Sequence, residues 1–302
     1  MNDANIKLPK KIITHSGNFH ADEVFACAIL DILYKGGVLI VRSRDPKVWK
    51  TADIMVDVGG IYNESLDHFD HHQEGGSGTR GNGVPYASCG LVWKKLGVQI
   101  AGSSYGAQII DERLVQPIDA GDNGISIYEK HGAVVPYLIH DAIAAFRPGW
   151  KESRTNDDGF FEALDIAKKI IEREIILASE EEEGERLSEE AYARMEDKRL
   201  VILDGHYPWH TVLKTHPEPL FVVKPDRDNK GKWKVEAIRD DTHSFKNRKN
   251  LPSLWAGKKD AEFTLVSGVP DAIFCHNKLF VAVAGSKEGA IKLAKLAISN
   301  DK

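Results

Sequence analysis

Lys11-Ile12-Ile13-Thr14-His15 is a β-branched run, and Ser16-Gly17-Asn18-Phe19-His20 separates it from Ala21 to Tyr34, where apolar residues recur at helical spacing. Two further strand-like runs follow, Val38 to Ser43 and Asp53 to Val58. Strand, helix, strand, strand in that order predicts an α/β domain with a mostly parallel sheet and covering helices. In such a sheet the carboxyl ends of the strands lie side by side along one edge, where open α/β folds form their sites. His15, His20 and Asp22 come just after the first strand, and Asp57 ends the run Ile54 to Val58.

Outward from this core, Gly75 to Gly83 holds five glycines and reads as a mobile loop, after which Ser88 to Leu96 resumes as helix. Helices are also expected at Gly106 to Ile118 and Pro136 to Ala145, and Arg147-Pro148-Gly149-Trp150 breaks the pattern. The catalytic α/β domain is therefore drawn as 1–150. Phe160 to Lys198 reads as nearly continuous helix with an apolar stripe through Phe161, Leu164, Ile171, Ile175 and Leu187, a connecting helix or helix pair assigned to 151–199. Strand signals return at Leu200 to Leu203, Leu220 to Val223, Trp233 to Ile238, Ala272 to Cys275 and Phe280 to Ala284. With a last helix from Lys287 to Ile298 they make a smaller α+β domain, 200–302.

Composition narrows the function classes. The chain has 302 residues, 42% of them hydrophobic, and no apolar run near the roughly 20 residues that span a bilayer, so no membrane partner is expected. Cys27, Cys89 and Cys275 lie in apolar segments without CxxC spacing, the pattern of buried reduced thiols in a cytoplasmic protein. A net charge of -5 argues against a broad basic surface that coats duplex nucleic acid. It leaves room for a local groove built on Arg227, Lys230, Lys232, Lys234, Lys246 and Lys249, although such alternation also suits a solvated hairpin.

The densest chemistry is Asp67-His68-Phe69-Asp70-His71-His72, two carboxylates and three imidazoles in six residues. Ile118-Asp119-Ala120-Gly121-Asp122 adds a carboxylate from what reads as the turn after a helix, Asp119 or Asp122. Singly, each of these residues is as well explained as a helix cap or a satisfied core histidine. Together, at strand ends, they read as a shell for two divalent metal ions. Imidazole and carboxylate without thiolate favour Mn²⁺, then Mg²⁺, over structural zinc. Asp57 is placed to bridge two cations, whose joint field would acidify a shared water and hold phosphoryl oxygens for in-line attack.

Thr14-His15-Ser16-Gly17-Asn18-Phe19-His20-Ala21-Asp22-Glu23, Asp67 to Gln73, Ile118 to Gly124 and Ser267 to His276 together resemble the MYG family of the DHH phosphoesterases. The resemblance covers almost the whole chain. It implies a DHH-phosphoesterase-like parallel-sheet domain joined by a long helical linker to the smaller domain, which would be the substrate-binding domain. It implies His15, His20 and Asp57 at one ion, and Asp22, Asp57, His71 and Asp122 at the other, with Asp119 in reserve. Asp70 would orient its neighbours and His72 would face the substrate phosphate. His243, Arg248, His276, Gly285 and Ser286 would bind substrate, the last two through the opening N–H groups of the final helix. The implied activity is a metal-dependent 3′-to-5′ exonuclease on single-stranded RNA or short oligonucleotides, releasing nucleoside monophosphates. A small-molecule phosphatase or pyrophosphatase, or a non-catalytic metal- or nucleotide-binding scaffold, would use the same residues. Oligomeric state is not readable from the sequence, and a homodimer is compatible with it.

Overall fold

The computed structural model describes residues 9–129, 132–240 and 246–300. The chain forms two compact units, residues 1–179 and 180–302, each with its own five-stranded sheet. Among the described residues no helix is long and apolar enough to cross a membrane.

The first unit contains β1 (Lys10–Thr14), α1 (Ala21–Leu33), β2 (Val38–Arg42), the single turn α2 (Pro46–Trp49), β3 (Ile54–Val56), β4 (Tyr62–Asn63) and β5 (His68–Phe69). Then come α3 (Ser88–Ala101), α4 (Ser104–Ile110), α5 (Gln116–Asp122), α6 (Ile139–Ala144) and the start of α7 (Asn156–Arg194). Its sheet order is β2-β1-β3-β5-β4, with β1, β2, β3 and β5 parallel and β4 antiparallel at one edge. The mixed α/β character expected from the strand–helix–strand opening is present. Ile12, Val24, Phe25, Ile29, Ile54, Val56, Phe69, Leu91 and Phe160 fill the core between sheet and helices. Three parallel strands therefore end at one edge, after Thr14, Val56 and Phe69, and the candidate ligands follow directly.

Local departures from the sequence reading are instructive. The third strand stops at Val56 because Asp57 adopts a left-handed backbone, φ 51°, which a β-ladder cannot accept. The single helix expected over Gly106 to Ile118 is split: α4 gives way to a π-helical turn at Asp111–Val115 before α5 begins. Asp119 and Asp122 consequently lie within α5, not in a turn after a helix. Nor is the glycine-rich segment left loose. Arg80 ties it to Asp111 and Asp119 and stacks on Tyr86, 4.2 Å from the ring centroid.

The second unit holds the end of α7, β6 (Leu200–Ile202), the turn α8 (His210–Leu213), β7 (Phe221–Pro225) and β8 (Trp233–Ala237), then α9 (Asp260–Ser267), β9 (Ala272–Cys275), β10 (Val281–Ala284) and α10 (Lys287–Ser299). Its sheet runs β6-β7-β8-β10-β9, parallel only between β6 and β7. Leu293, Ala294, Ala297 and Ile298 of α10 join Phe221, Val223, Val235 and Ala282 in a separate core.

Candidate functional site

Asp22 is the second residue of α1, and its buried carboxylate reaches the start of α3, accepting from Ser88 N at 3.0 Å and Cys89 N at 2.6 Å. The residue before α3, Ala87, has no side chain to cap with, so a carboxylate from another helix satisfies these orphan donors. Asp22 is thereby fixed at the sheet edge. Burial, together with Asp57, Asp122 and Asp119, raises its pKa well above the ordinary carboxylate value.

Between His15 and His20 the chain is clamped by three arginines. Arg44 Nε donates to Ser16 O, Arg42 Nη2 to Gly17 O and Arg147 Nε to Phe19 O, while Arg42 and Arg147 also flank the Phe19 ring. The backbone between the two histidines is fixed as a result. His15 Nε2 lies 3.0 Å from Glu23 Oε1 and 3.3 Å from Asp57 Oδ2. Burial alone would lower the His15 pKa, but hydrogen bonds to Asp57 and Glu23 push it up to about 10.

Asp57 is the hub. His15, His72 at 3.2 Å and His71 at 3.7 Å all face its carboxylate, and burial, which would raise its pKa, is outweighed by His15 and His72, which hold it below the usual range. Asp70 accepts from Gly60 N with one oxygen and from His72 N and Nδ1 with the other, so it sets the direction of the His72 ring. His72 is 62% exposed and raised to about 9, first by Asp57 and then by Asp70. His71 Nε2 is buried 3.1 Å from Asp122 Oδ2 yet makes no well-directed hydrogen bond.

Three groups of side chains could hold a metal ion, each with its ligand atoms within 4.8 Å of one another: His15, His20, Glu23 and Asp57; Asp57, His71 and His72; Asp22, His71 and Asp122. They share members, so they form one continuous cluster. It borders a cavity of about 700 Å³ lined also by Arg44, Trp49, Gly121 and His140. Several carboxylates pressed together raise or couple one another's pKa values, and here protons on imidazoles supply the balancing charge. A divalent cation would supply the same balance, and the ill-directed His71 nitrogen fits it.

The structure brings together His15, His20, Asp22, Asp57, Asp70, His71, His72 and Asp122. It places Asp119 elsewhere: the carboxylate accepts from Arg80 Nη1 at 2.6 Å and Gly90 N at 2.9 Å, inside a gap that a side chain at Gly90 would close. Burial still lifts Asp119 to about 7 against the pull of Arg80. The sequence reading did not single out Glu23, Arg44 or His140. A signal existed for Glu23, the third residue after His20, where a carboxylate caps the helix by accepting from His20 N. His140 sits over Gly121, where a Cβ would fall 2.1 Å from its Nε2, and sequence spacing cannot reveal that approach.

In the second unit the expectations fare differently. Arg248, expected at the substrate, is engaged by the protein itself. Its guanidinium donates to the carbonyls of His216, Pro219 and Lys214 and to Asp240, tying off the chain after α8. The opening of α10 is also engaged, since Ser286 Oγ accepts from Gly289 N and donates to Asp271, whose carboxylate packs against Gly285 and Gly289. An anion of the protein's own thus stands where a phosphate was expected. His276 accepts from Lys278 N and packs against Phe280 with ring centroids 4.5 Å apart and planes tilted by 51°, beside a cavity of about 480 Å³. His243 lies outside the described residues.

Residues 11–298 match the family model for the MYG1 exonucleases, described as an uncharacterised protein family (UPF0160). Similar proteins include a MYG1 exonuclease of Mus musculus, 31% identical over 98% of this chain and 86% of its own length. A MYG1 protein of Saccharomyces cerevisiae is 31% identical over 98% and 97%, and one of Schizosaccharomyces pombe 30% identical over 95% and 97%.

Proposed function

Since the chain belongs to the MYG1 exonuclease family, we propose that it is a two-metal phosphodiesterase that trims single-stranded RNA or short oligonucleotides from the 3′ end and releases nucleoside monophosphates. The observation that carries this reading is the linkage of three groups of metal-competent side chains through shared members, Asp57 joining the first to the second and His71 the second to the third. His15, His20, Glu23 and Asp57 would hold one ion; Asp22, His71 and Asp122, with Asp57 between, the other. Two divalent cations would supply an acidified water and charge stabilisation for the phosphoryl oxygens. Imidazole and carboxylate oxygen suit Mn²⁺, with Mg²⁺ second. His72, directed by Asp70 and exposed to the cavity, would donate a proton to the leaving oxygen. The three free, buried cysteines fit a cytoplasmic setting.

A metal-stripped chain incubated with 5′-labelled single-stranded RNA, a dinucleotide and pyrophosphate tests this. Mn²⁺-dependent shortening from the 3′ end, absent in Asp57→Ala, is the expected result. Hydrolysis of only the small compounds would move the protein to the phosphatase class, and turnover of nothing would remove the enzymatic reading.

A further inference from the structure

The cavity beside the metal-competent cluster is an unfriendly place for a phosphodiester. Asp57, Asp70 and Asp122 line it, and Asp22 and Glu23 are buried behind them in the same cluster, so an incoming phosphate meets a concentration of carboxylates. Among the described lining residues Arg44 alone carries a permanent positive charge. It is an exposed residue at the end of β2, yet its guanidinium is not free to wander. Nε donates to Ser16 O at 3.0 Å, Nη2 lies 3.1 Å from His15 Nδ1, and Nη1 has no hydrogen-bond partner among the described residues. On the same wall stands Trp49, its indole anchored by Nε1 to Ser43 O at 2.9 Å.

We propose that Arg44 and Trp49 form a nucleotide subsite of the first unit, Arg44 holding a substrate phosphate and Trp49 stacking the adjoining base. A planar guanidinium fixed on one edge offers its other edge to phosphate oxygens as a preorganised fork, so little side-chain entropy is lost on binding. An anchored indole gives a sequence-tolerant stacking face. This subsite rests on the exonuclease reading for the nature of its ligand, and it explains how a polyanion tolerates so acidic a floor.

Adenosine 5′-monophosphate and adenosine, titrated calorimetrically into the Mn²⁺-loaded full chain, separate the two contacts. Arg44→Gln should weaken AMP binding about 10- to 100-fold with no change for adenosine, and Arg44→Lys should recover part of the loss. Trp49→Leu should weaken both ligands to a similar degree. Bound Mn²⁺ per chain should be the same in all variants. Equal AMP affinity in wild type and Arg44→Gln, or no AMP binding by wild type, overturns the phosphate contact. Loss of Mn²⁺ in Arg44→Gln overturns it too, because Arg44 would then act only as a support for His15. Unchanged binding of both ligands in Trp49→Leu overturns the stacking contact. No hydrolysis enters this assay, so a chain that binds AMP through Arg44 but cuts no RNA would break the exonuclease reading alone.

Discussion

The first unit gathers acids and imidazoles around one shared carboxylate, Asp57, whereas in the second Arg248 and Ser286 are tied to the protein's own carbonyls and carboxylates. Around Asp57 the carboxylates outnumber their partners, and His71 Nε2 is buried without a proper hydrogen bond. Asp271 and Arg248 have their complements among the described residues: Ser286 with Asp271, Arg248 with four carbonyls and Asp240. The first region stood out in the sequence by its density of acids and imidazoles, the second only through the family resemblance. Chemistry-bearing residue types mark where polar groups converge, and only their mutual saturation tells structure from site.

The comparison breaks most visibly at Asp57. Asp57→Ala should lower phosphodiester hydrolysis by at least about 10³-fold, roughly 4 kcal/mol of transition-state stabilisation, while far-UV circular dichroism stays native. Hydrolysis within a few fold of wild type would mean that the cluster is structural after all. Asp70→Asn should cost less, about 10- to 100-fold, because it leaves the cluster intact and misdirects His72. The variant should show the loss in kcat with KM little altered.

The same contrast sets a pH dependence. In the metal-free chain His15 is raised to about 10 and His72 to about 9, above the ordinary value near 6.5. Groups raised in the folded state contribute stability that is complete below about pH 6.5 and fades as pH climbs through 9 and 10. Thermal unfolding of the metal-free protein should therefore shift to lower temperature from pH 6.5 to 10, and added Mn²⁺ should flatten the dependence by replacing those protons. A metal-free chain that gains stability over this range would contradict the assignment.

In the saturated region the expected effects are on stability alone. Arg248→Met strands several carbonyls and should cost about 1 to 3 kcal/mol in denaturant unfolding without changing KM. Ser286→Ala removes a helix cap worth about 1 kcal/mol, again with KM unchanged. A rise in KM for either variant would give these residues the substrate-binding role that the sequence suggested.

The parallel strands were legible because β-branched runs, not long-range contacts, define them, and strand ends then located His15 and Asp57 almost automatically. Asp122 against Asp119 was not legible. The two are three residues apart, and the choice rests on Arg80, which reaches across from the glycine-rich segment to neutralise Asp119. The break between α4 and α5 was equally hidden, since a π-helical turn leaves the apolar spacing on either side nearly unchanged. Arg44 escaped notice for a different reason: a solvent-side arginine after a strand has no distinguishing pattern until the fold puts it against Ser16 and His15.

Titration of the metal-stripped chain with Mn²⁺, followed by electron paramagnetic resonance, tests the central claim most directly. Two ions bridged by Asp57 would sit about 3.5 to 4 Å apart and couple magnetically. The account predicts two ions per chain with a spin-coupled spectrum, lost in Asp57→Ala; no bound ion, a single ion, or two that remain magnetically independent would contradict it.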